Sequence, residues 1–138
     1  MERAKVLIVD DDLDFIEISR IHLEEKGYRV RSASNTQEGW DMVEEERPDL
    51  IIMDLMMENL DSGMNLSRKI KENPRYSSIP ILMLTSISRE TGMDFTPRTE
   101  EDLKKLNVED FHVKPIKGKI LLEKVEKLLA GREDKKGK

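Results

Sequence analysis

A cluster of acidic residues directly follows one short apolar run, and a single aspartate follows a second apolar run. Four aspartates fall between positions 10 and 14, behind the apolar segment 6–9 (VLIV), and Asp54 closes the segment 50–53 (LIIM). Carboxylates held close together repel one another, so such a group either keeps a proton or binds a cation. Oxygen ligands of this kind suit Mg²⁺, which takes one or two carboxylates and keeps several waters. The candidate cation ligands are Asp10, Asp11 and Asp54.

Two other interpretations of the first acidic cluster need to be weighed. Asp11 or Asp12 could cap a following helix, and spacing alone does not separate capping and solvation from a metal site. The spacing of three aspartates also matches the start of a calcium-binding EF-hand loop. That loop requires Gly at its sixth position and Glu at its twelfth, where this chain has Phe15 and Ile21, so we reject this interpretation.

Short apolar runs alternate with longer charged segments of helical spacing along the chain. The runs predict buried strands at 6–9, 28–33, 50–53, 79–84 and 110–113. The charged segments predict helices at 13–26, at 36–46 with Asn35 or Thr36 as cap, at 62–74, at 99–106 and at 117–129. Such alternation predicts an α/β fold, a five-stranded parallel sheet in a doubly wound (βα)5 sandwich with helices on both faces.

This arrangement predicts where a ligand would bind. In open parallel sheets, ligands bind beyond the carboxyl ends of the strands. Asp10, Asp11, Asp54, Thr85 and Lys114 all lie at or just past predicted strand ends. We therefore expect one edge of the sheet to gather them, with Lys114 bringing a positive charge to the carboxylates.

Composition limits the class of protein. The chain has 138 residues, which suits one domain, placed at 1–130 and followed by a polar tail, 131–138, that we expect to be disordered. A net charge of −5 argues against a dedicated nucleic-acid binder, and the lack of cysteine excludes disulfides and thiolate chemistry. With neither an apolar run of ~18–20 residues nor a signal peptide, we expect a cytoplasmic protein without membrane contact.

Four segments in order resemble one known family. They are VLIVDD at 6–11, PDLIIMD at 48–54, ILMLTS at 81–86 and FHVKP at 111–115. Together they resemble the receiver domain of two-component response regulators, over about residues 4–130. The resemblance implies a flavodoxin-like fold and a role in phosphorelay signal transduction.

The resemblance implies a role for each acidic residue of the site. Asp54 matches the aspartate that accepts a phosphoryl group from a phosphohistidine. Asp10 and Asp11 match the acidic pair that holds Mg²⁺, with Asp11 as direct ligand, and the backbone carbonyl of Met56 matches the remaining protein ligand. Because the transition state spreads negative charge over the phosphoryl oxygens, a cation and a lysine at this place would stabilise it.

Three further positions match residues that respond to phosphorylation. Thr85 matches the hydroxyl that moves to the phosphoryl group, and Lys114 matches the lysine that pairs with a phosphoryl oxygen. The peptide bond between Lys114 and Pro115 is cis in most relatives. Phe111 matches the aromatic switch residue, which packs in the core whether or not it switches.

The resemblance also implies partners and leaves one alternative open. A stand-alone receiver would take its phosphoryl group from a sensor histidine kinase or a histidine phosphotransfer protein and catalyse its own slow dephosphorylation. It would act on a downstream protein target, with no direct nucleic-acid contact, and could form a homodimer. The alternative is a pseudo-receiver, a phosphorylation-independent interaction or dimerisation module. A small phosphohydrolase is disfavoured, since Asp54 is not followed by the second aspartate of a D-x-D motif.

The loop after Asp54 departs from the family pattern. The family usually has proline four residues after the phosphoacceptor, where this chain has Glu58. The segment 55–63 is one residue longer than usual, with Gly63 as the matching glycine. The sequence therefore does not predict the geometry of the loop over the expected metal site.

A second departure is an insertion. Thr85 and Lys114 are 29 positions apart, several more than in the family. The additional residues are about 88–98, and they include Met93 and Phe95. Long loops of this kind are functional or disordered. The segment is either a surface insertion, or these two side chains dock on a partner or fold over the site.

Overall fold

The computed structural model describes residues 4–57, 62–85 and 108–136. The strands are β1 (Lys5–Val9), β2 (Arg29–Ala33), β3 (Leu50–Asp54), β4 (Ile81–Thr85) and β5 (Asp110–Val113). The helices are α1 (Leu13–Glu25), α2 (Thr36–Glu46), α3 (Ser62–Glu72) and α4 (Gly118–Lys136). The predicted helix 99–106, the insertion 88–98 and Glu58 lie outside the described residues.

The five strands form one parallel sheet in the order β2-β1-β3-β4-β5. This confirms the predicted doubly wound, flavodoxin-like sheet. The chain goes from β1 to β2 on one side and then returns to the other side of β1 with β3. The strand order thus reverses between β1 and β3, which is where ligands bind in sheets of this type. Asp10 and Asp54 lie at the carboxyl ends of these two strands.

Alternate strand residues build a core on each face of the sheet. The first core lies under α2 and α3 and includes Leu7, Val9, Met53, Met83, Val43, Leu66 and Ile70. The second lies under α1 and α4 and includes Val6, Ile8, Ile52, Leu82, Ile16, Leu23, Leu121 and Val125. Residues of β3 and β4 are buried throughout, as continuous apolar runs predict for central strands.

Local hydrogen bonds explain where α2 begins. Asn35 accepts a hydrogen bond from the Glu38 N–H at 2.9 Å, and the Glu38 carboxylate accepts one from the Ser34 N–H at 3.0 Å. The first bond caps the helix, and the second differs from a capping box because Glu38 binds the N–H of Ser34, one residue before the cap. Asn35, and not Thr36, is therefore the cap.

The last helix is longer than the sequence indicates. The apolar stripe predicts an end near residue 129, whereas α4 runs to Lys136. The predicted boundary between domain and tail, at residue 130, lies within this helix, and a separate tail remains a prediction. No helix within 4–57, 62–85 and 108–136 combines the length and the apolar character needed to cross a membrane.

Candidate functional site

Strands β1 and β3 hold two carboxylates at the carboxyl edge of the sheet. The pairing of Val9 with Met53 puts the next residues, Asp10 and Asp54, side by side. The exposed fraction of Asp10 is 0% and that of Asp54 is 5%. Buried carboxylates need partners, since an unpaired charge away from water is costly.

A third carboxylate completes a group that could hold a metal ion. Asp10, Asp11 and Asp54 each offer an oxygen, and these oxygens all lie within 4.8 Å of one another. Asp11 is exposed and the other two are buried, so the group opens to solvent on one side. An all-oxygen donor set at an accessible edge fits Mg²⁺, which retains part of its water shell.

Lys114 bridges the two buried carboxylates. Its Nζ donates to Asp10 Oδ2 at 2.7 Å and to Asp54 Oδ2 at 3.4 Å. Its backbone N–H donates to the Thr85 carbonyl at 2.7 Å, which extends the pairing of β4 and β5 past their ends. The predicted site residues on four strand ends are thus brought together, and the Lys114–Pro115 peptide bond is cis.

Burial and charge change the proton affinity of this cluster. Burial raises the pKa of Asp54 from its ordinary 3.8 to about 6, with Lys114 opposing the rise and the charge of Asp10 adding to it. Burial disfavours the charged form of Lys114, but the hydrogen bond to Asp10 and the charge of Asp54 outweigh it and raise the pKa of Lys114. One ammonium therefore does not fully offset two buried carboxylates, and a bound cation would relieve the excess.

Asp12 is the cap of α1. Its Oδ1 accepts hydrogen bonds from the N–H groups of Asp14 at 3.1 Å and Phe15 at 3.2 Å. Its own N–H donates to Asp10 Oδ1 at 2.9 Å, which ties the start of the helix to the site. The predicted capping role therefore belongs to Asp12, which leaves Asp11 out of the cap, and cation binding by Asp11 remains a prediction.

Thr85 presents a buried hydroxyl at the end of β4. The residue is 1% exposed, and among the described residues Oγ1 has no hydrogen-bond partner. Leu84 is the register partner of Asp54, so Thr85 lies one residue past it. Buried hydroxyls are normally paired, and an unpaired one costs about 1–3 kcal/mol. A phosphoryl oxygen on Asp54 is one group that could take this hydrogen bond.

Phe111 lies in β5 beside Met83. It is half-buried and packs at the margin of the core under α2 and α3. Its role as a switch therefore remains a prediction, since an aromatic side chain packs at such a place in either case.

The backbone after Asp54 is closely covered by α3. The Met56 N–H donates to Asp54 Oδ1 at 3.2 Å, and the Gly63 N–H donates to the Leu55 carbonyl at 2.7 Å. A Cβ at Gly63 would lie 2.2 Å from the Asp54 carbonyl oxygen, so only glycine fits here without displacement. The Met56 carbonyl as a metal ligand remains a prediction.

Sequence reasoning missed one neighbour of the site. The Lys114 Nζ lies 4.7 Å from the centroid of the Phe15 ring. Phe15 is 99 positions away in the chain, so no local spacing could indicate this contact. Only the fold, which places the first turn of α1 over the β5 end, brings the two side chains together.

The fold and this edge define an α/β protein with an acidic cluster and a lysine at the carboxyl ends of its strands. A family model for the response regulator receiver domain matches residues 6–126. The chain therefore belongs to the receiver family of two-component systems, as the sequence motifs predict.

Individual relatives agree with this assignment. Protein PilH of Pseudomonas aeruginosa is 29% identical, over 93% of this chain and 99% of PilH. The transcriptional regulatory protein AfsQ1 of Streptomyces coelicolor is 30% identical, over 84% of this chain and 47% of its own length. The chain thus spans about half the length of several relatives it matches. The structure of the chemotaxis response regulator CheY4 of Vibrio cholerae is similar with a TM-score of 0.76 and 26% identity, covering 91% of this chain and 98% of that one.

Replacing Asp54 with Asn is expected to stabilise the metal-free protein at neutral pH but not near pH 4. The folded chain holds the Asp54 proton more tightly than the unfolded chain, with a pKa of about 6 against 3.8. Stability therefore falls as the pH rises between these values and stays lower above them. The variant, which has no carboxyl group to ionise there, should exceed the wild type by about 2–3 kcal/mol at pH 7.

Urea unfolding in EDTA at several pH values measures this difference. Asp41→Asn, which changes an exposed aspartate of α2, is the matched control and should show no such pH-dependent gain. Parallel pH profiles for wild type and Asp54→Asn would contradict the raised pKa.

Proposed function

We propose that this receiver domain accepts a phosphoryl group on Asp54 from a sensor histidine kinase or a histidine phosphotransfer protein, with Mg²⁺ bound. The observation that carries the proposal is the position of Asp54 between a lysine and two further carboxylates. Its Oδ2 lies 3.4 Å from Lys114 Nζ, and it shares a possible metal group with Asp10 and Asp11. The side chain is buried yet lies at an edge that Asp11 opens to solvent.

The residues of this chain would divide the work of the transfer. A carboxylate oxygen of Asp54 attacks phosphorus in line, the new O–P bond forms, and the N–P bond of the phosphohistidine breaks with its electrons returning to the imidazole. The Met56 N–H, which donates to Oδ1, orients the carboxylate for this attack. Lys114 leaves Asp54 and pairs with a phosphoryl oxygen.

Asp10, Asp11, Asp54 and the Met56 carbonyl would hold the Mg²⁺. When bound, the ion supplies positive charge that offsets the negative charge of the transferring oxygens. Asp10 would have a second task, because its Oδ2 accepts a hydrogen bond from Lys114. This bond would keep the lysine in the site before and after transfer. Water reaches the edge past exposed Asp11, which would permit the slow self-catalysed dephosphorylation.

Thr85 and Phe111 would read the phosphorylated state. The buried Thr85 hydroxyl has no partner in the described part of the chain, so a phosphoryl oxygen would satisfy it. The strand end that carries Thr85 would move toward Asp54, and Phe111 would then pack further inward. Phosphorylation would shift a population between two states and change the face formed by β5 and its neighbouring helices for a downstream protein target.

We place the protein in the cytoplasm. Its output would pass through contacts with other proteins, without direct nucleic-acid or membrane contact, and homodimerisation is one form that this output could take.

The pseudo-receiver alternative receives no support from the site. Asp11, Asp54, Thr85 and Lys114 are all present, and a phosphorylation-independent module would not need the full set.

Intact-mass measurement after incubation with acetyl phosphate and Mg²⁺ tests the proposal. We expect one added phosphate on the wild type, none on Asp54→Asn, and none on the wild type in EDTA. Asp41→Asn serves as control and should be phosphorylated like the wild type. An unmodified wild type under these conditions, or an adduct that survives in Asp54→Asn, would contradict the proposal.

A further inference from the structure

The ammonium of Lys114 has three partners of different kinds. Asp10 accepts a hydrogen bond at 2.7 Å and Asp54 accepts one at 3.4 Å. The third partner is the Phe15 ring, with its centroid 4.7 Å from Nζ. A cation at this distance from an aromatic face is attracted by the negative charge of the ring's π system. The Lys114 side chain is only 16% exposed, so water screens this attraction weakly.

The backbone of Phe15 is tied to the site. The Phe15 backbone N–H donates to the capping carboxylate of Asp12, and the Asp12 backbone N–H donates to Asp10. The ring also packs against the core under α1 and α4. A closed chain of contacts therefore runs from Asp10 through Asp12 and Phe15 to Lys114 and back to Asp10.

We infer that Phe15 is a positioning residue of the phosphoryl-transfer site, whose ring face holds the Lys114 ammonium between Asp10 and Asp54. This inference rests on the proposed function. During transfer Lys114 exchanges one acceptor oxygen, on Asp54, for another, on the phosphoryl group. The ring attracts the ammonium without offering an acceptor that would compete for its N–H groups. A carboxylate or amide at position 15 would compete, and an aliphatic side chain would not attract the charge.

Fluorination of the Phe15 ring separates this role from simple packing. Site-specific incorporation of 4-fluoro- and 3,4,5-trifluorophenylalanine at position 15 weakens the negative face of the ring while almost preserving its shape. We expect the phosphorylation rate with acetyl phosphate and Mg²⁺ to fall in steps, by about two- to fivefold at the trifluoro ring. Trifluorophenylalanine in place of Tyr76, a ring packed in the other core, is the control and should not lower the rate. Thermal melting verifies that each variant is folded.

A second readout does not depend on phosphorylation. Competitive acetylation of lysines by acetic anhydride, with Lys127 as internal reference, reports how well Lys114 is held. We expect its relative labelling to rise by about two- to fivefold across the same series. Unchanged labelling would overturn the ring contact, and changed labelling with an unchanged phosphorylation rate would overturn the positioning role. A wild type that takes no phosphate would overturn the proposed function and with it the positioning role, while the labelling would still test the contact.

Discussion

Replacing Lys114 with Gln is expected to lower the rate of phosphoryl incorporation from acetyl phosphate by about 100-fold. The ammonium is the only described cation within hydrogen-bond distance of Asp54, and its Nζ is already 3.4 Å from Oδ2. Preorganised charge of this kind stabilises a transition state without having to be rearranged as the reaction proceeds. Gln keeps a donor of similar reach but removes the charge, so the loss measures the charge itself.

Initial rates of phosphate addition, followed by intact mass at fixed Mg²⁺ concentration, measure this effect. Lys124→Gln is the matched control, since Lys124 forms a comparable ion pair with Asp110 at 2.9 Å outside the acidic cluster. It should phosphorylate within about twofold of the wild type, as partly exposed ion pairs are worth ~1 kcal/mol or less. A Lys114→Gln protein that phosphorylates at the wild-type rate would remove the lysine from the mechanism.

Replacing Gly63 with Ala is expected to cost about 3 kcal/mol of unfolding free energy and to slow phosphorylation as well. The added Cβ would lie 2.2 Å from the Asp54 carbonyl oxygen and 2.7 Å from the Leu55 Cα. Both are backbone atoms, so the clash cannot be relieved by a side-chain rotation. Either the start of α3 or the end of β3 must move, and the second option displaces Asp54, the proposed phosphoacceptor.

Urea unfolding of Gly63→Ala measures the loss, and Gly131→Ala provides the control. Gly131 is an exposed residue of α4, and a Cβ there meets nothing within 4 Å. The same substitution should therefore stabilise that helix by up to about 1 kcal/mol. Equal stabilities of Gly63→Ala and the wild type would mean that the close approach of α3 to β3 is readily relaxed.

The elements could be predicted from the sequence because their signals are local. A continuous apolar run such as 50–53 identifies a central strand, and the pair Asn35 and Thr36 locates a helix start to within one residue. The convergence of Asp10, Asp54, Thr85 and Lys114 followed from parallel pairing alone, since it needs only the strand ends. The family motifs then assigned each of these residues a role.

What could not be predicted depends on distances between elements. Lys114 is closer to Asp10 than to Asp54, a preference set by how β5 approaches β1 across two intervening strands. The Phe15 contact depends on the placement of α1 over that strand end. The length of α4 was underestimated because its last residues are charged and carry no apolar stripe, although a charged sequence can remain helical.

One backbone hydrogen bond links Thr85 and Lys114, the two residues that we propose contact the phosphoryl group. The Lys114 N–H is held by the carbonyl of Thr85 at 2.7 Å, just beyond the paired part of β4 and β5. If the Thr85 backbone moves toward a phosphoryl group, it either breaks this bond or pulls the lysine, Pro115 and the start of α4 with it. The ends of β4 and β5 would then move together, and a small displacement near Asp54 would reach the first turn of α4. The Gly118 backbone in that turn lies against the His22 ring of α1. The same movement would therefore displace α1, which packs beside α4 on the same face of the sheet.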